Sequence, residues 1–275
     1  MGLFDSVFRR SRRVTDDAPT VPLPKTGLTF RVGNVQGVGL RERQEDSFAI
    51  LNASNAAALA REGLLAVVAD GMGGMADGKQ ASESAVGAFC ELFRERAEET
   101  PVPQWFRESA HAVSDSVYEQ FSGRSSTTLV AVHIQRNQLH WVSVGDSAIY
   151  LYRSGGVFQL NREHTYLNQL YTRELTEDII CKERAEQDED ARRLTAFVGI
   201  NCLEAVDGSL RSLPLQSGDV LLLCSDGISG VLTPPELMEA MRLPTDEGCT
   251  LLETLVLEKQ VPEQDNYTGI MISCK

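Results

Sequence analysis

The hydrophobic residues of this chain fall into short unbroken runs, and several of those runs border an acidic residue. The run Leu64–Ala69 closes on Asp70-Gly71, and the run at 220–225 closes on Asp226-Gly227. Asp265-Asn266 opens the run Tyr267–Cys274, and Glu45-Asp46 precedes the run at 47–50. Runs of this length, rich in Val, Ile and Leu, read as buried strands. Further strands are predicted over 29–38, 127–134, 139–144, 148–152 and 157–160, with turns at 135–138, 145–147 and 154–156. A helical stripe runs through 79–96, with apolar residues at 81, 85, 86, 89 and 93, and a second through 104–121. Thr233-Pro234-Pro235-Glu236 carries the signals of a helix start: a capping Thr, Pro in the first turn, and a Glu able to reach back. Another helix is expected near 250–259. Helices therefore come in pairs between blocks of strands, which suits layers of helix packed on two sheets.

The two ends of this pattern differ from its middle. Residues 1–27 read as a tail: Leu3, Phe4, Val7 and Phe8 share one helical face, Arg9, Arg10, Arg12 and Arg13 follow, and a Pro- and Thr-containing linker runs to Gly27. Such a segment is either flexible or a short amphipathic contact with a membrane surface or partner, and Met1-Gly2 with Ser6 fits the myristoylation pattern. The globular part is expected over 28–275, with residues 161–195, polar and mixed in charge, forming a mobile flap or a solvated helical insertion.

Composition narrows the function. A formal net charge of −13 disfavours a nucleic-acid backbone as main partner. No run of about 18 apolar residues is present to span a bilayer, and no apolar signal-peptide core is evident. The six cysteines form no CxxC pair, which suggests reduced, mostly buried thiols and a cytoplasmic protein.

The acidic residues at strand ends carry the chemistry. A carboxylate at the lip of a buried strand is costly to desolvate unless something positive meets it. Several converging would repel one another, and a hard cation such as Mg²⁺ or Mn²⁺ is the usual remedy. Gly71 and Gly227 leave room for a sharp turn beside an ion, and Gly71 could offer its carbonyl. Arg41, on the approach to Glu45-Asp46, has the planar fork that matches phosphate oxygens.

Five motifs then carry a resemblance: Arg41-Glu42-Arg43-Gln44-Glu45-Asp46, Val68-Ala69-Asp70-Gly71-Met72-Gly73-Gly74, Val144-Gly145-Asp146-Ser147, Cys224-Ser225-Asp226-Gly227 and Asp265-Asn266. In this order they resemble the metal-dependent serine/threonine protein phosphatases of type 2C, bacterial members above all. The resemblance implies an α+β fold, a four-layer α-β-β-α sandwich with two central antiparallel sheets. It implies two or three Mn²⁺ or Mg²⁺ ions that activate water against a phosphoserine or phosphothreonine. Asp70 would bridge two ions, the Gly71 carbonyl would complete one site, and Glu45, Asp226 and Asp265 would line the other. Asp146 would join Asp226 at a third ion, Asp46 would orient water, and Arg41 would hold the phosphate. Phosphorylated proteins, and a cognate serine/threonine kinase that makes them, are the implied partners.

The chain departs from the family pattern in places. Gln44 replaces an Asn, Ala148 an Arg expected to supply a structural or surface charge, and Gly269 a β-branched residue. The segment before Gly199 lacks an arginine, and Met72 stands where many eukaryotic relatives have a proton-donating His. His164 is a candidate replacement, although a loop His is more often a local hydrogen-bonding residue. A catalytically weak regulatory module and a hydrolase of small phosphate esters are the alternative readings.

Overall fold

The computed structural model describes residues 27–73, 77–177 and 182–275. The expected N-terminal tail, Gly74 of the second motif and residues 178–181 of the expected flap lie outside the described residues. Along the chain come β1 (Phe30–Gly37), β2 (Ser47–Leu51), α1 (Ala56–Glu62), β3 (Leu64–Ala69) and β4 (Gly71–Gly73), then α2 (Asp77–Arg94) and α3 (Val102–Phe121). A block of strands follows: β5 (Ser125–Thr127), β6 (Leu129–Gln135), β7 (Gln138–Val144), β8 (Ala148–Arg153) and β9 (Gly156–Gln159). After α4 (Tyr166–Thr176) and α5 (Lys182–Glu186) come the short β10 (Asp207–Gly208) and β11 (Leu213–Pro214) and the central β12 (Val220–Cys224). Then α6 (Asp226–Ser229), α7 (Pro234–Met241) and α8 (Thr245–Glu258) lead into β13 (Tyr267–Cys274).

Most strands form two large antiparallel sheets, while β4 and β5 form a separate pair. One has the order β1-β13-β12-β8-β9, the other β10-β7-β6-β3-β2, with β11 also on β7. The unbroken apolar runs are explained by what lies on each side. In β3, Leu64, Ala66 and Val68 face the space between the sheets, where they meet Ile149, Leu221, Leu223 and Ile270 of the other sheet. Leu65, Val67 and Ala69 point the opposite way, into Ala81, Ala85, Phe89, Phe106 and Val113 of α2 and α3. On the far side Leu222, Cys224 and Met271 pack on Leu237, Ala240, Leu252 and Val256 of α7 and α8. A strand buried on both faces cannot alternate apolar with polar. The layers are therefore α-β-β-α, as expected.

Local chemistry explains where the elements stop. The β6–β7 turn has Arg136 and Asn137 both at positive φ, 51° and 62°, the backbone that matches strand twist in a two-residue hairpin. At the α7 start the Glu236 carboxylate accepts from both the backbone N–H (2.8 Å) and the hydroxyl (2.7 Å) of Thr233. Helix α8 begins at Thr245, a turn and more earlier than its apolar stripe suggests, because Pro244 caps it. Helix α1 was not predicted: it is seven residues long, and the Asn55 side chain, which accepts from the Ala58 N–H, sits in a stretch of Asn and Ser that reads as loop.

Among the described cysteines Cys90, Cys224, Cys249 and Cys274 are buried, as expected, and Cys202 is exposed. One expectation needs correction. Ala148 is fully buried and pairs with Cys224, so an arginine there would not be a surface charge. Gly269 is closely fitted: a Cβ would lie 3.0 Å from Ile228 Cδ1 and 3.2 Å from Val35 Cγ1. Among the described residues no helix is long and apolar enough to cross a membrane.

Candidate metal centre

Antiparallel register gathers the strand ends. Ser47 lies opposite Ala69, Leu129 opposite Val144, Ala148 opposite Cys224, and Cys224 opposite Gly269. The start of β2, the end of β3, the β7–β8 turn, the end of β12 and the start of β13 thus share one end of the sandwich. Glu45, Asp46, Asp70, Asp146, Asp226 and Asp265 sit on those five segments.

Their electrostatics show that they face one another. Asp70 is held well above the usual carboxylate range, first by burial and then by Asp46, Asp226, Asp146 and Asp265. Burial lifts Asp46 to about 6, with Asp226 and Asp265 adding to it against hydrogen bonds from Thr268 and Ser225. Asp146 is pushed up to about 7 by burial, then by Asp226 and Glu163. Asp226 is raised by burial and by Asp265. Glu45 is raised by burial, against the pull of Arg41. Asp46 Oδ1 and Asp226 Oδ1 are buried without a hydrogen-bond partner. Buried polar atoms are nearly always paired, and these two oxygens are placed to accept a cation. Among the described residues no three acidic, His or Cys side chains stand close enough to enclose an ion unaided. A hard cation that keeps several waters and uses few carboxylates fits such a spread, oxygen-only set.

Backbone and hydroxyl contacts hold the carboxylates in place. Ser225 Oγ donates to Asp46 Oδ2 at 2.8 Å and accepts from the Thr268 N–H at 3.0 Å. The Asp70 N–H donates to Thr128 Oγ1 at 3.0 Å, and Thr128 Oγ1 lies 2.7 Å from Ser147 Oγ, which ties Asp70 to the Asp146 turn. Buried Asn266 accepts from the Glu45 N–H at 2.6 Å and donates to the Val38 and Arg43 carbonyls, each at 2.9 Å. The Lys79 ammonium donates to the Asp46 carbonyl at 2.8 Å and Ser47 Oγ at 3.0 Å, while Ser82 donates to the Glu45 carbonyl. Gly71 admits no side chain: a Cβ would lie 2.2 Å from the Gly78 carbonyl oxygen and 2.6 Å from that of Glu45. Gln44, in place of Asn, bridges locally, donating to the Gly37 carbonyl and accepting from the Asp46 N–H.

Arg41 reaches this end, its guanidinium 2.7 Å from Asp265 Oδ2 and more than half exposed. His164 has a local role. Its Nδ1 accepts from the Gly145 N–H at 3.1 Å and its own N–H donates to the Gly145 carbonyl, so it clips the turn that carries Asp146. The expected flap contains α4 and α5, the helical form of that expectation. No role for Ser225, Asn266, Thr128, Ser82 or Lys79 follows from the sequence alone. Lys79 did leave a signal: a cation in the first turn of a helix opposes the macrodipole, and here two oxygen acceptors outside the helix offset that.

The chain resembles known proteins in sequence and in fold. Residues 42–259 match the profile of the family described as protein phosphatase 2C. The serine/threonine phosphatase stp of Listeria monocytogenes is 31% identical over 188 residues, 65% of this chain and 71% of that protein. The solved serine/threonine phosphatase PstP of Mycobacterium tuberculosis superposes with a TM-score of 0.72 at 26% identity, covering 89% of this chain and 98% of that one. The PstP catalytic domain in complex with two manganese ions gives a TM-score of 0.70 at 26% identity, covering 90% and 99%.

Proposed function

The chain belongs to the protein phosphatase 2C family, and on that premise we propose that it hydrolyses phosphoserine and phosphothreonine in proteins with divalent ions held at the carboxylate end of the sandwich. The observation that carries the reading is the pair of buried, unpartnered oxygens, Asp46 Oδ1 and Asp226 Oδ1, amid carboxylates that raise one another's pKa. Asp70, the Gly71 carbonyl, Glu45, Asp226 and Asp265 would hold two ions, and Asp146 with Asp226 a third. Mn²⁺ and Mg²⁺ both suit this oxygen set. Such ions, when bound, supply Lewis acidity and a water-derived nucleophile at neutral pH.

The chain's own groups do the rest. Arg41 forks onto the phosphate oxygens, and its exposure leaves it free to turn from Asp265 to the substrate. Asp46, fixed by Ser225, accepts a hydrogen bond from the attacking water and orients it. Thr128 and Ser147 hold the Asp70 and Asp146 turns at one spacing. The catalytic unit is taken as 28–275. Its substrates are products of a serine/threonine kinase, its setting is the cytoplasm, and the 1–27 tail supplies any membrane contact.

The test is phosphate release from a phosphothreonine peptide with Mn²⁺ or Mg²⁺, with a chelator, and with Asp226→Ala. Release should need the metal and fall at least 100-fold in the variant. Metal-independent release, or activity that survives Asp226→Ala, overturns the proposal.

A further inference from the structure

From the loop that carries Arg41 we infer a specificity lip: Leu40, with Val38, contacts an aliphatic residue of the phosphoprotein within about three positions of the phosphorylated one. The inference rests on the phosphatase reading and deepens it.

Leu40 is 71% exposed and Val38 40%, on a loop tied to Asp265 and Asn266 through Arg41, Val38 and Arg43. Scattered exposed apolar residues are ordinary. This pair differs because its loop is pinned and cannot fold back to cover it. The Leu40 N–H donates to the Gln264 carbonyl at 2.8 Å, and the Val38 carbonyl accepts from Asn266 at 2.9 Å and from the Arg41 N–H at 3.3 Å. Gly39 has φ +61°, and a Cβ there would lie 2.3 Å from the Asp265 carbonyl oxygen. A Cβ on Gly37 would meet the Tyr267 ring at 2.1 Å. The two glycines let the loop pass close over the start of β13, and that close approach fixes what it shows to solvent.

Leu40 is shown beside Arg41, whose guanidinium lies on Asp265. A substrate phosphate gripped by Arg41 brings its peptide across Leu40. Extended chain advances about 3.3–3.6 Å per residue, so the side chains that reach Leu40 belong to close neighbours of the phosphoresidue. A rigid aliphatic surface gains from an aliphatic partner and nothing from Gly or Ser.

The experiment measures kcat/KM in Mn²⁺ for phosphothreonine peptides with a single Leu moved from three residues before to three after, on a Gly/Ser background. Wild type, Leu40→Ser and Leu40→Met are compared, each by its own ratio of Leu-bearing to Gly/Ser peptide. Wild type should favour one Leu position about 5- to 20-fold, through KM, near the low end of what a closed pocket reaches. Leu40→Ser should bring that ratio near one, and Leu40→Met should retain it. An unchanged ratio in Leu40→Ser, or no preferred position in a wild type that turns over every peptide, overturns the lip. A wild type that cleaves p-nitrophenyl phosphate but no peptide overturns the phosphatase reading, and the lip with it.

Discussion

Replacing Ser225 by Ala tests whether the hydroxyl fixes the centre. Ser225 is fully buried, and its oxygen serves two partners, the Asp46 carboxylate and the Thr268 N–H. The variant strands that N–H, at about 1–3 kcal/mol for a buried unsatisfied group. It also removes a charge-assisted hydrogen bond, worth about 1.5–3 kcal/mol. Thr268 remains as a second donor to Asp46 and offsets part of the loss, so about 3 kcal/mol is expected. For a domain of this size that lowers Tm by about 6–12 °C. The Ser225 hydrogen bond opposes the burial that lifts Asp46 to about 6. Without it the carboxyl moves further up, and the metal-free protein has to be taken to higher pH before Asp46 ionises. A displaced Asp46 should also weaken half-saturation by Mn²⁺ about 10- to 100-fold, the usual effect of losing a group that orients the ligand shell. Urea or thermal melts with and without Mn²⁺, and a metal titration of phosphate release, read these effects. A melt within about 1 °C of wild type, together with unchanged half-saturation, would refute the reasoning.

Two further outcomes are expected. His133 is pulled down to about 4 by burial, with its Nε2 2.7 Å from the Glu62 carbonyl. The unfolded chain binds that proton more readily, so stability is lost as pH falls from about 6.5 to 4, by about 3 kcal/mol in all. The difference between wild type and His133→Gln in urea melts isolates this slope from the carboxylates, and a difference that does not vary with pH contradicts it. Gly227→Ala places a Cβ 1.9 Å from the Asn266 carbonyl oxygen and must displace the residue that holds Glu45, whereas Gly87 in α2 has nothing within 4 Å. Gly227→Ala should lower Tm and cut metal-dependent activity at least tenfold, while Gly87→Ala should stabilise by about 0.5–1 kcal/mol and leave kcat as it was. These are read by melts and steady-state rates.

How much of this was legible in the sequence depends on the scale of the feature. Strands β3, β12 and β13 announce themselves, because burial on both faces leaves unbroken apolar runs. The acidic residues at their ends were legible for the same reason, a charge abutting a fully apolar run. The supports of the site were not. Ser225 and Thr128 look like ordinary polar residues; the pairing of β3 with β6 brings the Thr128 hydroxyl to Asp70, and the packing of one sheet on the other brings that of Ser225 to Asp46. Ala148 and Gly269 read as departures from a family pattern; Ala148 is fully buried, and Gly269 is closely fitted against Ile228 and Val35. The helix at 56–62 was invisible because its cap residue is also a turn residue, and seven positions carry too little periodicity to decide.

The pairing of the first strand with the last sets a schedule for the enzyme's making. In its sheet β1 borders only β13, from Phe30 opposite Cys274 to Gly37 opposite Tyr267. At about 5–20 residues per second, a growing chain carries β1 as an unpaired edge for tens of seconds. Asp265 and Asn266 arrive with the partner strand, so the turn that seats Glu45 and Arg41 cannot form earlier. The nascent polypeptide is therefore catalytically silent until synthesis has passed β13, and a truncated one stays so. The interval is also when the exposed edge is most open to mispairing with a neighbouring chain.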